Sequence, residues 1–412
     1  MNKHSLLTAL LLTLTSASQA DNLNDTQRAI LHSDLYQSAY QQAQQTDADQ
    51  LEKITNQPYQ GLTLNQTPPS EDLYSIEEID ASTRSLTQLA KQLYQSLSNT
   101  PTQNAIQFPL TSPNWRTWRA DAQPRTRGIS LLEMDKKQRK TADKFLKELL
   151  SIEGYEEVIS IMKLSTTTGE LLKQSELYNE QLYWFTFFGE PSTDQPWGLQ
   201  IDGNHLTLNL TVIGNQLSIT PFLLEAEPTL APSGTQNAGE TALQFKRDAA
   251  FKFIRALDDD QRKSAILANS KRKNQLLTGA FNDNLDLPTE GLSAETLNND
   301  QKQQLLKLIS FWTGDLRDKH ANNWLKSIEN QLDQTHIVWI GGTKREDPYY
   351  LRILNPLILI EFDHQSSKAL KTNLNYRSKR PRNDHIISLI RQPNGNDYGK
   401  ALLKAYNTQS ND

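Results

Sequence analysis

The chain has 412 residues, 36% of them hydrophobic, and a formal net charge of -5, which supplies apolar material for one sizeable core or two modest ones. That balance argues against a disordered chain, gives no run long enough for a membrane-spanning helix, and lacks the basic, aromatic-interleaved surface that binds nucleic acid. With no cysteine, disulfides, thiolate ligands, a cysteine nucleophile and a lipid-attachment thiol are all excluded.

The first residues follow the pattern of a secretory leader: Lys3, an apolar run from Leu6 to Leu14, and small residues around Ser18-Gln19-Ala20. Residues 1–20 are expected to be removed, leaving a soluble bacterial protein of the periplasm or the medium that begins at Asp21. Residues 21–113 are polar and weakly periodic, with a Thr67-Pro68-Pro69-Ser70 break and a helix expected over Thr83–Leu97; they form a partly helical N-terminal extension. Residues 114–412 then read as a single α+β domain.

A recurring phrase marks helix starts. Asn24, Asp135, Asp258 and Asn298 each follow an apolar residue and precede a Gln by three positions, at Gln27, Gln138, Gln261 and Gln301, the spacing of a capping box. The helix after Asp135 is expected to bury Phe145, Leu146, Leu149, Leu150 and Ile152. Period-two alternation then predicts strands at Leu182–Phe188, His205–Ile213 and Gln216–Phe222, with turns at Asp202-Gly203 and Gly214-Asn215. A helical block is expected from about Ala238 to Leu332. Strands return at His336–Ile340, Tyr349–Leu354, Leu357–Asp363 and His385–Arg391, followed by a short closing helix from Tyr398. The expected fold is therefore α+β, a mainly antiparallel sheet completed by C-terminal strands and flanked by helices.

Alternation places His205, Thr207, Asn209 and Thr211 on one face of a strand. Such a face is either the solvated side of a sheet or the wall of a polar site. In LILIEFDH, Glu361 and Asp363 share a face inside an otherwise apolar strand, so Glu361 requires a cation, several donors or a raised pKa; Arg352 and Arg391 are candidate partners. His385 opens the last strand. His205, His385 and Glu361 together are chemically sufficient for a three-ligand site for zinc or iron with an open position. Glu361, His385 and Arg391 are the catalytic candidates, as base or acid and electrostatic stabiliser. Trp197, Asn209, Arg352 and Asp363 are candidates for holding a small-molecule or saccharide ligand, with Trp184 nearby. The basic run of Arg377, Lys379, Arg380 and Arg382, within loop 366–383, could favour an anionic ligand. Hydrolase elbow, zincin, P-loop and dinucleotide-binding motifs are absent.

Six segments in order, RGISLLEMDKKQRKTADKFLKELLSIEGY, FFGEPSTDQPWGLQIDGNHLTLN, ITPFLLEAEP, WIGG, YYLRILNPLILIEFDH and DHIISLIRQPNGNDYGKALL, resemble the bacterial and fungal family called domain of unknown function 3500. The resemblance runs from about Trp115 to the C-terminus. The family pattern is Gly-His-His-Leu where this chain has Gly203-Asn204-His205-Leu206, and Asn-His-x-His where it has Asp384-His385-Ile386-Ile387. Glu361, Asp363, Arg352, Arg391, Asn396, Asp397 and Gly399 match by residue type. The resemblance implies a histidine-rich site suited to a metal or to acid–base chemistry, of which this chain keeps His205 and His385 and replaces the others with Asn204, Ile387 and Tyr406. Three readings remain open: the retained pair is the essential one, the metal differs, or this member has lost activity. The connection from Asp363 to His385 is also longer than the family's. The leading expectation is a metal-assisted hydrolase or lyase; the alternative is a non-catalytic envelope protein that binds a saccharide or an anion.

Overall fold

The computed structural model of the protein describes residues 23–65, 73–97 and 106–409; the leader and the Thr67–Ser70 break lie outside them. Among the described residues, no helix is long and apolar enough to cross a membrane. The centre is a sheet of 13 strands. Its long strands are β1 (Tyr183–Phe188), β2 (Trp197–Gly203), β3 (Leu206–Ile213), β4 (Phe222–Ala226), β5 (His336–Gly341), β6 (Tyr349–Asn355), β7 (Ile358–His364) and β8 (Ile386–Arg391). They lie in the order β5-β6-β7-β8-β4-β3-β2-β1, every neighbouring pair antiparallel. The fold is α+β. The C-terminal strands join the middle ones along a single ladder, from Ile386 opposite Ala226 to Ile390 opposite Phe222.

All four capping boxes form, at Asn24, Asp135, Asp258 and Asn298, because that signal is local and needs no tertiary partner. Elsewhere the structure corrects the expected boundaries. The helix Lys136–Leu149 stops short of Ile152, since Ser151 caps a second helix, Ile152–Leu172; Ile152 sits on its first turn, 75% exposed rather than packed. Trp197–Gly203 is a full strand, so the turn moves from Asp202-Gly203 to Asn204-His205. The strand expected over Gln216–Phe222 splits into Gln216–Ser218 and β4 around Pro221, which has no N–H to give to a ladder. The helical block is interrupted by an irregular stretch from about residue 269 to 285.

Helices cover one face of the sheet. Phe185, Leu199, Leu208, Leu224, Ile360 and Ile390 meet Phe145, Ile161, Phe251, Ile309 and Trp312 in the main core. The other face carries Thr186, Gln200, Asp202, Thr207, Asn209, Glu225, Glu361 and Asp363, and it is buried too. Mostly irregular chain covers it: residues 113–128, opened by the 3-10 helix Pro113–Thr117, over β1 to β3, and the 269–285 stretch over β7 and β8. A buried charge without a partner costs several kcal/mol, and the cover brings the partners. Arg125 meets Asp202 at 2.7 Å and Lys271 meets Asp363 at 2.8 Å, while Arg391 meets Asp397 at 2.7 Å. Within the coil itself, Arg116 pairs with Asp283 at 2.7 Å. The N-terminal extension is docked on this cover. From its helix Asp34–Thr55, Asp47 meets Arg119 at 3.2 Å and accepts from the Thr126 hydroxyl at 2.6 Å.

Candidate functional site

His205 is the second residue of the two-residue turn between β2 and β3, at φ 65°. That left-handed conformation costs a non-glycine residue about 1–2 kcal/mol. Here the surroundings fix it: the His205 N–H donates to the Ala120 carbonyl at 2.9 Å, and its carbonyl accepts from the Glu225 N–H at 2.8 Å. At Gly203, just before the turn, a Cβ would come within 2.6 Å of the Leu182 carbonyl and the Tyr183 ring, so only glycine fits.

The register brings four titratable groups to one end of the covered face. Leu206 pairs with Leu224, and Ile387 pairs with Glu225. By alternation His205, Glu225, Glu227 and His385 therefore share that side. All four are at most 2% exposed. His385 Nε2 lies 2.8 Å from Glu225 Oε1, and its Nδ1 lies 2.7 Å from the Ser366 carbonyl oxygen. Both ring nitrogens thus face acceptors, so each needs a proton, and the pair is an imidazolium and a carboxylate. The surrounding charges favour the same state: burial opposes charge at both groups, but Lys368 and His385 hold the Glu225 carboxyl well below its usual range, and Glu225 raises His385. Glu227 accepts backbone N–H bonds from Lys368, Ala369 and Leu370 at 2.7–3.2 Å.

His205 is different. Its Nε2 stands 3.7 Å from Glu225 Oε1, beyond hydrogen-bond reach, and among the described residues none bonds its ring. Burial lowers its pKa more than Glu225 raises it, which keeps the ring neutral at pH 7. It borders a cavity of about 270 Å³ whose wall also includes Asp121, Tyr178, Asn204, Lys368 and Lys371. Glu225 raises the Lys368 ammonium, against the opposite pull of burial. Burial lifts the Tyr178 hydroxyl to about 12. A neutral imidazole with an ionised carboxylate behind it can accept a proton, and Glu225 stabilises the cation that results.

The other sequence candidates are elsewhere. Glu361 pairs with Leu389, four residues along β8 from His385, a rise of about 13 Å. A metal whose bonds are about 2 Å long cannot span that gap, so the ligand set His205, His385 and Glu361 does not converge. Among the described residues, no three His, Cys, Asp or Glu side chains are arranged to hold a metal ion. Arg352 stands opposite Glu361 in the ladder, but neither arginine forms an ion pair with it; Glu361 instead accepts from the Leu277 and Thr278 N–H groups, the Thr278 hydroxyl and the Tyr350 hydroxyl. Arg352 bonds Glu290 at 2.8 Å. Arg391 bonds Asp397 and the carbonyls of Thr278 and Asn282, so Asp397 is its ion-pair partner. Asp363 pairs with Lys271, and Asn209 donates to the Pro221 carbonyl at 2.7 Å. Trp197 lies in the main core, and Trp184 stacks under Arg125. None of these residues borders the cavity. Glu225 and Glu227 were overlooked in FLLEAEP, although two carboxylates at alternate positions of an apolar strand are the same signal that singled out Glu361 and Asp363.

A family model described as a protein of unknown function, DUF3500, matches residues 80–400. The match begins well before Trp115 and takes in the helix Arg84–Leu97. No curated protein and no solved structure matches the chain.

Proposed function

The chain belongs to the DUF3500 family, and for this member we propose an acid–base enzyme, a hydrolase or a lyase, in which His205 is the base. One observation carries the reading: a buried imidazole without a hydrogen-bond partner among the described residues borders a small open pocket, 3.7 Å from an ionised carboxylate. His205 takes a proton from water or from a substrate carbon. Glu225 offsets the charge that forms, a term of about 4 kcal/mol at the effective dielectric of protein sites. His385, a positioning residue, holds Glu225 by donating to Oε1. The exported location rests on the leader pattern alone, and mass spectrometry of the protein recovered from cell fractions tests it: cleavage before Asp21 is expected.

The catalytic test screens the mature protein on p-nitrophenyl esters, phosphates and glycosides and on a polyuronide, with His205→Gln and the remote His336→Gln beside it. Turnover that falls about 10²- to 10⁴-fold in His205→Gln, and is kept in His336→Gln, supports the reading. Imidazole ¹⁵N spectra give an answer even without a substrate: His205 should be neutral at pH 7, with a reactive nitrogen toward diethyl pyrocarbonate. A ring already charged or hydrogen-bonded ends this reading and leaves a ligand-binding protein.

A further inference from the structure

Asp121 is the one carboxylate in the cavity wall among the described residues, Glu225 and Glu227 lie at the neighbouring strand end, and each of the three is already answered. Glu225 has His385, Glu227 has three backbone N–H groups, and Asp121 lies 3.4 Å from Arg125 and 3.7 Å from Arg119. The two lysines of the wall are not answered in this way: neither Lys368 nor Lys371 has a carboxylate within 4.0 Å among the described residues. Lys368 responds to Glu225 only at longer range. The basic run adds to this surplus. Ser378 is pinned to Ser367 by two hydrogen bonds, from the Ser367 N–H to the Ser378 carbonyl at 3.1 Å and from the Ser378 N–H to the Ser367 hydroxyl at 2.7 Å. That clasp sets Arg377 and Lys379, both exposed, beside the root of Lys368. Arg382 is the member of the run that is paired, with Asp384. In a chain of net charge -5, a local excess of cations around a small cavity is a departure that solvation alone does not require, and such a concentration of one sign draws an oppositely charged ligand.

We propose that the cavity is an oxyanion site: it takes a small carboxylate or phosphate, with Lys368 as the anchor, Lys371 beside it and the Arg377–Lys379 clasp at the approach. Building on the acid–base reading, this gives the substrate class of the same site, a small acidic molecule whose anionic group sits against Lys368 while its reacting atom faces His205. The two lysines would act as point charges, so they would discriminate little between a carboxylate and a phosphate by geometry alone.

The test follows the imidazole ¹⁵N resonances of the protein while inorganic phosphate is added in one arm and malonate in another. A saturable shift of His205 with either anion is expected, and the arm that saturates first identifies the preferred acid group. Lys368→Met should weaken binding at least tenfold. Lys368→Arg should largely restore it, and Lys147→Met, at a distant exposed residue, should leave it unchanged. No saturable shift with either anion, or Lys368→Met binding as tightly as the parent protein, overturns the inference. Failure here is distinct from failure of the acid–base reading: a neutral, reactive His205 that ignores both anions sinks only the anion site. A charged or hydrogen-bonded His205 in a protein that still binds anions through Lys368 sinks only the base.

Discussion

At the scale of single residues, His385 and Glu225 form a pair whose worth depends on pH in both directions. The folded pKa of His385 is raised, so its contribution is complete below the unfolded value of 6.5 and is lost as pH rises through the folded value. That of Glu225 is depressed, so its contribution is complete above 4.5 and is lost as pH falls toward its folded value. The full contribution therefore lies between about pH 4.5 and 6.5. Glu225→Gln should cost about 3 kcal/mol near pH 5.5, because it leaves the His385 cation buried without its partner. Denaturant midpoints of the parent and the variant should converge between pH 5.5 and 9, and a constant gap would show that His385 is not charged. His364 titrates the other way for a base. Burial lowers it to about 3, so its neutral form stabilises the fold at neutral pH and that contribution is lost as pH falls from 6.5 toward about 3. His364→Asn should flatten the acid limb of the stability profile over that range.

Between elements, the decisive contacts join coil to strand. Glu361 gathers the stretch around Leu277 and Thr278 onto β7. Glu361→Ala leaves those amides without acceptors, at a cost of about 1–3 kcal/mol for each group left buried. Hydrogen exchange at Leu277 and Thr278 should quicken at least tenfold, while the His205 and His385 spectra stay unchanged; altered histidine spectra would mean that the two regions are coupled. The same contrast explains what the sequence discloses. Capping boxes and strand alternation are written within a few residues, so helix starts and most strands can be read directly. The covering of the polar face cannot, because alternation reports two unlike sides without saying what lies on either. Thr207, Asn209 and Thr211 look solvated until residues more than 80 positions away supply the lid, as Trp115 does by accepting from Gln200 through its carbonyl. Half of the candidate site, His205 and His385, was legible. Glu225 carries the signal of a carboxylate in an apolar strand, but its contact with His385 across β4 and β8, like the place of Lys368 on the long loop, is not written within a few residues.

On the scale of the whole molecule, the helix Asp34–Thr55 of the N-terminal extension belongs to the site's support although it lies outside the family match. Asp47 holds Arg119 and Thr126, on either side of the Ala120–Asp121 part of the cavity wall. Asp47→Ala should lower stability by about 1–3 kcal/mol and broaden or shift the His205 resonance; a His205 signal identical to the parent's would confine Asp47 to a stabilising role. The ladder between β4 and β8 has a wider effect. Among the described residues, it alone joins the strands that bring His205 and Glu225 to the strand that brings His385. Without β8, His205 and Glu225 would keep their places at the start of β3 and on β4 but lose His385, the partner of Glu225. A single ladder thus holds the two halves of the candidate site in one sheet, and the register from Ile386 opposite Ala226 to Ile390 opposite Phe222 sets how far apart they stand.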